Sequence, residues 1–350
     1  MKLIGIFDCG TTNSRFSIVN SEGTTMGSAT SKIGVKDTAL SGSNEALKSG
    51  LRSLFARTIT SSGIAVSDVA MVISSGMITS ELGIVELPHL LAPAGINEIA
   101  GGLTRIEDEK SLDINADLYL VRGIKNKPDP AAYAPLSEVR NLDFMRGEET
   151  QVMGLLALYG GGIPTTVVNL SSHTKYISVD ADDRIRGSIT TLSGQVYESL
   201  LKETFIGKSI APGNGNEIPE NDGSMKERLA EATFLAARLV DEAGLLRCFL
   251  IPRFMDTLMS TDWRIRKRFF EACIAADDLK AQSLFPLYGF ERGHRVFLVG
   301  LKERCEIFAM LFKETEQGKT ADITILSDPE AVRNLAIKGA LAIGAHAGLI

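Results

Sequence analysis

One order of features occurs twice in this 350-residue chain: an apolar run stopping at a polar residue, a small polar loop, a second extended run, and a turn. The first copy is Leu3-Ile4-Gly5-Ile6-Phe7 ending at Asp8, the loop Gly10-Thr11-Thr12-Asn13, the run Phe16-Ser17-Ile18-Val19 and the turn Asn20-Ser21-Glu22-Gly23. The second is Thr166-Val167-Val168-Asn169-Leu170, the loop Ser171-Ser172-His173-Thr174-Lys175, the run Tyr176-Ile177-Ser178-Val179 and the turn Ala181-Asp182-Asp183. The offset that lays Asp8 on Asn169 also lays Phe16 on Ile177, Ser17 on Ser178 and Ile18 on Val179, with almost no identities. Short apolar runs bounded by turn residues read as strands. Two such hairpins, each opening an α/β half, predict an internally duplicated, two-lobed α/β chain. The length agrees, since ~150 residues per domain gives about two domains.

Between the hairpins the period changes. Leu47, Leu51, Leu54 and Phe55 recur at three- and four-residue spacing, the mark of one apolar helix face. Val69-Ala70-Met71-Val72-Ile73 predicts a buried strand ending in Ser74-Ser75-Gly76. Amphipathic stretches over 227–243 (closed by Gly244), 263–276 and 303–314 predict helices, and Phe297-Leu298-Val299-Gly300 a strand feeding the last. Residues 331–347 are rich in Ala and Gly, as in a helix packed closely on other backbone, and 207–224 reads as a loop dense in Gly, Pro and Asn.

Charge and motif searches exclude several classes. There are 37 Lys+Arg against 43 Asp+Glu, a net charge of −6, which disfavours binding to nucleic acid or to an anionic membrane surface. The run Arg264-Ile265-Arg266-Lys267-Arg268 therefore reads as one solvated helix face. Cys9, Cys248, Cys273 and Cys305 form no C-x-x-C and read as reduced thiols. The first apolar run is too short for a signal-peptide core. The uncharged stretch 151–174 is broken by Gly160, Gly161, Gly162 and Pro164, so it cannot supply ~20 consecutive apolar residues for a membrane span. The expectation is a soluble, cytoplasmic protein. Gly207-Lys208-Ser209 and Gly318-Lys319-Thr320 lack the earlier glycine of a phosphate loop, having Lys202 and Lys313 there. Ile218 occupies the third glycine position of a dinucleotide fingerprint begun at Gly213. Neither H-E-x-x-H nor G-x-S-x-G occurs.

Four constellations remain. In Asp8-Cys9-Gly10-Thr11-Thr12-Asn13-Ser14-Arg15, Gly10 permits close backbone approach, Thr11, Thr12 and Asn13 are donors without bulk, and Asp8 is a carboxylate able to hold Mg²⁺. The plain alternative is a Gly-Thr-Asn turn capped by Asp, which needs only part of that string. Arg146-Gly147-Glu148-Glu149 lies at a helix start. One glutamate there could act as a general base, worth ~10²–10⁴ in rate, and Arg146 could pair with an anion. The plain alternative is a helix-dipole contact of about 0.3–1 kcal/mol. Spacing does not choose between Glu148 and Glu149, because adjacent helical residues point about 100° apart. The second hairpin loop could hold phosphates through His173 and Lys175, or be a solvated tip. Gly76-Met77-Ile78-Thr79-Ser80 with Glu86-Leu87-Pro88-His89 and Pro93-Ala94 could line a cleft or simply pack.

Asp8-x-Gly10-Thr11-Thr12-Asn13-x-Arg15, Gly76-Met77-Ile78-x-Ser80 and, most specifically, Met145-Arg146-Gly147-Glu148-Glu149-Thr150-Gln151 resemble the 2-dehydro-3-deoxygalactonokinases, and the resemblance runs in order through most of the chain. It implies the two-lobed actin/hexokinase/Hsp70 (ribonuclease H-like) ATPase fold, with duplicated mixed sheets, flanking helices and ATP·Mg²⁺ in an interlobe cleft. It implies transfer of the γ-phosphoryl of ATP to the 6-hydroxyl of 2-keto-3-deoxy-D-galactonate in galactonate catabolism. In that reading residues 1–163 and 329–350 form the N-terminal, substrate-side lobe, and 164–328 the C-terminal, adenosine-side lobe. Asp8 organises Mg²⁺; Gly10, Thr11, Thr12, Asn13, Arg15, His173 and Lys175 surround the phosphates; Gly300 lies on the adenosine side. Glu148 or Glu149 is the base or its positioner, and Arg146 holds the substrate carboxylate or a phosphate. The implied partner is a small sugar acid, and a homodimer is one assembly open to the chain. Two departures stand out: Leu170-Ser171-Ser172-His173-Thr174-Lys175 where the family carries Pro-Gly-Thr-His-Ser-Lys, and Ser193-Gly194-Gln195 where it carries Thr-Gly-Glu. A phosphohydrolase on the same fold and a silent nucleotide-binding protein are the rival functions.

Overall fold

A computed structural model describes residues 2–107, 112–127, 136–213 and 223–350. In chain order the elements are β1 (Leu3–Cys9), β2 (Ser14–Val19), β3 (Thr25–Ser31), α1 (Val35–Ser41), α2 (Glu45–Ser62), β4 (Val69–Gly76), β5 (Leu90–Leu91), α3 (Ile96–Gly101), β6 (Thr104–Ile106), β7 (Asp117–Leu120), β8 (Ile124–Lys125), β9 (Phe144–Met145) and α4 (Glu148–Tyr159). The chain continues through β10 (Thr165–Leu170), β11 (Thr174–Val179), β12 (Ile185–Thr191), α5 (Ser193–Glu203), α6 (Ile206–Ser209), α7 (Ser224–Ala243), α8 (Leu245–Thr257) and α9 (Trp263–Ser283). It closes with β13 (Arg295–Gly300), α10 (Lys302–Phe312), β14 (Asp322–Leu326) and α11 (Pro329–His346). Two compact units result: Met1–Ile163 with Val179–Ser188 and Pro329–Ile350, and Pro164–Ser178 with Ile189–Asp328.

The repeated pattern in the sequence is a repeated sheet. One sheet runs β3-β2-β1-β4-β7-β6 and another β12-β11-β10-β13-β14, so each begins with three sequence-adjacent strands and then adds a crossover strand beside the first. β4 lies parallel to β1, and β13 parallel to β10. Asp8 and Asn169 are each the penultimate residue of the strand that opens their sheet. β1 and β10 are buried almost throughout, as strands covered on both faces must be.

The first unit's core joins Phe7 and Phe16, with ring centroids 4.4 Å apart, to the α2 stripe Leu47, Leu51, Leu54 and Phe55. The second gathers Tyr176, Phe269, Phe270, Phe308 and Phe312. The Ala/Gly-rich α11 packs backbone to backbone on α4: a Cβ on Gly154 would lie 1.8 Å from the Leu335 carbonyl oxygen, and one on Gly339 1.8 Å from that of Thr150. Larger side chains cannot occupy those positions without moving a helix. All four cysteines are buried and free, and no described helix is long and apolar enough to cross a membrane.

Some expectations are corrected. β11 begins at Thr174, so Thr174 and Lys175 belong to a strand and the second loop is only Ser171–His173 in extent. The helix start expected at Arg146–Glu149 is present: α4 begins at Glu148, directly after Gly147, so both glutamates lie in its first turn. The expected 207–224 loop opens inside α6 and ends at the start of α7; its part over 214–222 lies outside the described residues. The basic run is not one solvated face. Five consecutive residues circle an α-helix, and Arg266 is wholly buried, donating to the carbonyls of Ser209 and Thr261 and pairing with Asp256 at 3.4 Å.

Candidate active site

In the first unit three segments meet at one end of the sheet. The first is the β1–β2 loop, whose Gly10 N–H donates to Asn13 O at 2.9 Å. The start of α1 holds this loop by its carbonyls, with Val35 N–H donating to Gly10 O at 3.3 Å and Lys36 N–H to Thr11 O at 2.9 Å. Thr11, Thr12 and Asn13 are left exposed at the tip. Arg15, opposite Asp8 in the ladder, donates from Nη1 to Asp8 Oδ2 at 3.0 Å.

The second segment follows β4, where Gly76 pairs with Cys9. Gly76 has φ +91°, and a Cβ there would sit 2.3 Å from Cys9 O, so glycine is required. The third is Arg146–Glu149. Gly147, at φ +108°, comes so close that its Cβ would lie 3.2 Å from the Gly76 Cα. Two glycines in contact thus bring the Arg146–Glu149 turn beside the strand end that carries Asp8.

Arg146 fixes this junction. Its guanidinium donates to Thr79 Oγ1 at 2.7 Å and to Leu87 O at 3.0 Å, joining the 76–80 and 86–89 segments that the sequence singled out. Burial pushes its pKa down, against the charges of Glu149, Glu81 and Glu86. Beside it, burial and the Arg146 charge lower His89 to about 4, which leaves the imidazole neutral at pH 7.

The glutamates differ sharply. Glu149 is fully buried; its two carboxylate oxygens accept from Gly147 N–H at 2.9 and 2.8 Å, and one accepts from Thr150 Oγ1 at 3.2 Å. Burial, reinforced by the Glu148 charge, outweighs those hydrogen bonds and raises its pKa to about 8. Glu148 is half-buried, and its Oε2 accepts from Arg146 N–H at 3.1 Å.

The second unit holds His173, Lys175 and Gly300. Ser172 Oγ lies 3.3 Å from His173 Nδ1, and Ser171 Oγ donates to His173 O at 3.1 Å. Lys175 is buried in β11, and its Nζ donates to Thr190 Oγ1 at 2.7 Å. Gly300 ends β13 opposite Leu170 with φ +150°, and a Cβ there would lie 2.6 Å from Leu170 O. Just beyond it opens a cavity of about 390 Å³ with walls from Leu170, Ile274, Ala275, Leu301 and Ile307. At its polar side Lys267 bridges Glu303 at 2.7 Å and Glu271 at 3.3 Å, and Tyr197 donates to Glu271 at 3.1 Å. The cavity lies at the carboxyl ends of parallel β10 and β13, where open α/β sheets bind their ligands. Of these lining residues the sequence drew attention only to Leu170, in the second hairpin, and Lys267, in the basic run; Arg304 and Asp278 beneath the hairpin were not singled out.

Among the described residues no three His, Cys, Asp or Glu side chains are grouped to hold a metal ion. Asp8 offers a single carboxylate beside a loop of small donors. That suits Mg²⁺, which keeps several waters and needs only one or two carboxylates when it shares a nucleotide's phosphates.

Two copies of one sheet order, with a polar loop at the tip of each opening hairpin, define a duplicated α/β protein of the actin and hexokinase class of ATPases and kinases. Within that class the chain belongs to the 2-keto-3-deoxy-galactonokinase family, whose model matches residues 8–317. A Rhizobium meliloti (strain 1021) protein provisionally named 2-dehydro-3-deoxygalactonokinase is 26% identical over 204 residues, 58% of each chain. The Escherichia coli (strain K12) 2-dehydro-3-deoxygalactonokinase is 27% identical over 141 residues, 40% of this chain and 41% of that one. The matched stretches thus span less than two thirds of these relatives. A crystal structure from Sinorhizobium meliloti, provisionally described as a 2-dehydro-3-deoxygalactonokinase, shares the fold with a TM-score of 0.71, covering 97% of this chain and 98% of that one at 19% identity.

Proposed function

We propose that this protein is a cytoplasmic kinase that transfers the γ-phosphoryl group of ATP to the 6-hydroxyl of 2-dehydro-3-deoxy-D-galactonate, a step in galactonate catabolism. The observation that carries this reading is the meeting of the Asp8 loop with the Arg146–Glu149 turn across the Gly76–Gly147 contact. Family membership and the names of the relatives support the acceptor. In the reaction the bond from the γ-phosphorus to its bridging oxygen breaks, a bond to the sugar-acid oxygen forms, and ADP leaves.

Such transfers rest mainly on positioning and charge neutralisation. Thr11, Thr12 and Asn13 donate to phosphate oxygens, and Arg15 sets the orientation of Asp8. Of the paired carboxylates we assign the base to Glu148: it is half-buried and accepts the hydroxyl proton, whereas Glu149 is sealed and shapes the turn through Gly147. Arg146 presents its remaining donors to the acceptor's carboxylate. In the second unit the hairpin carrying His173 and Lys175 takes phosphates, and the cavity beyond Gly300 takes the nucleoside. Asp8 would hold Mg²⁺, which when bound neutralises charge on the transferred group.

Asp8→Asn and Glu148→Gln test the assignment. Both should fold as the parent does and lose most phosphoryl transfer; the Glu148 change should cost about 10²–10⁴-fold in kcat. Parental turnover in either variant removes the role assigned to that residue.

A further inference from the structure

Arg304 lies at the third position of α10, four residues after Gly300, and is half-buried. Its side chain turns back onto the second hairpin. Nη1 donates to Leu170 O at 3.1 Å and to Ser171 O at 2.6 Å, and Nη2 to Thr174 Oγ1 at 3.3 Å. One planar group therefore holds both ends of the three-residue loop, a geometry the guanidinium fork can reach and an ammonium cannot.

The cluster beneath is polar and closed. Ser193 Oγ donates to Thr174 Oγ1 at 2.8 Å, Thr191 Oγ1 to Asp278 Oδ1 at 2.5 Å, and Tyr176 to the Asp278 carbonyl at 2.6 Å. The α5 start presses on the loop from the other side: Gln195 N–H donates to Ser172 O at 2.9 Å, and a Cβ on Gly194 would lie 2.3 Å from Ser171 O. The Arg304 side chain and Leu170 also line the cavity beyond Gly300. The residue that shapes the loop is thus a wall of the neighbouring cavity.

We propose that Arg304 is a positioning residue: it holds the second hairpin in the form that receives nucleotide phosphates and links that form to occupation of the adjoining nucleoside cavity. The proposal rests on the reading of this hairpin as phosphate-binding and of the cavity as nucleoside-binding. Linkage of this kind is reciprocal, so a nucleoside in the cavity and phosphates on the loop strengthen each other's binding through the same side chain.

The test is calorimetric binding of adenosine, ADP and ATP with Mg²⁺ to the parent chain, Arg304→Lys, Thr174→Val and His173→Ala, with KM for ATP and for the sugar acid measured in parallel. Arg304→Lys should lower the ratio of ATP to adenosine affinity about tenfold, as expected for losing charge-assisted hydrogen bonds. It should raise KM for ATP by a similar factor while KM for the sugar acid stays within about twofold. Thr174→Val keeps the Arg304 bonds to both carbonyls, so it should shift the ratio the same way by less; it carries the test if Arg304→Lys does not fold. A purely structural role would instead weaken adenosine, ATP and sugar-acid binding together, and that overturns the proposal. If His173→Ala weakens ATP binding while Arg304→Lys and Thr174→Val leave the ratio unchanged, the phosphate reading stands and the Arg304 proposal fails. If the parent binds ATP no more tightly than adenosine, the phosphate reading fails and takes the proposal with it.

Discussion

Glu149 has exchanged water for two contacts with one backbone N–H and one hydroxyl, and that exchange makes it the group whose protonation responds most to folding in the proposed catalytic turn. With its folded pKa raised to about 8, the native protein keeps a proton that the unfolded chain has released. Below about 4.5 both states are protonated and the full contribution to stability is present. Between that value and 8 the native state binds more protons than the unfolded one, so the contribution declines as pH rises, by up to about 1.4 kcal/mol per pH unit. Above 8 it is gone. Urea unfolding midpoints from pH 5 to 9 should therefore fall more steeply for the parent than for Glu149→Gln, which keeps the shape without the titration. Equal slopes would mean that Glu149 is ionised in the folded protein. The sequence identified this pair of glutamates but could not rank them, because neighbours on a helix differ only in direction, and direction here follows from Gly147 at φ +108°. Arg304 was missed, although a cation in the first turn of a helix opposes the macrodipole and needs a tertiary reason to be there.

At the scale of elements, α11 acts as a support for α4. The Gly339 backbone touches the Thr150 carbonyl, two residues after Glu148 in the first turn of α4, and the Gly154 backbone touches that of Leu335. Gly339→Ala should push the helices apart, costing about 1–3 kcal/mol as overpacking does, and lowering Tm by about 2–4 °C per kcal/mol. Because the strain falls on the first turn of α4, kcat should fall as well. Unchanged Tm and kcat would show that the two helices yield without disturbing the turn. This packing was legible in the Ala/Gly content of residues 331–347. So were β1, β2 and β10, whose apolar runs stop at polar loops or turns, and β13, whose run feeds directly into a helix. The buried Arg266 was not legible. Its partners are the carbonyls of Ser209 and Thr261, and nothing in a run of basic residues announces a backbone acceptor that arrives from fifty-seven positions away.

Across the whole molecule, the matching sheet orders β3-β2-β1-β4 and β12-β11-β10-β13 explain why a nearly identity-free repeat was visible at all: topology preserves the sequence of run, loop, run and turn while side chains diverge. The first hairpin has kept a carboxylate, Asp8, where the second has Asn169. In the proposed reaction this difference divides the labour, with metal and acceptor chemistry on the first unit and nucleotide holding on the second. The most direct test is ADP release from ATP·Mg²⁺ by the purified protein with 2-keto-3-deoxy-galactonate, 2-keto-3-deoxy-gluconate, a neutral hexose or no acceptor. The account predicts strong stimulation by the galactonate derivative alone. Phosphate release without any acceptor, or nucleotide binding with no turnover on any of them, would contradict it.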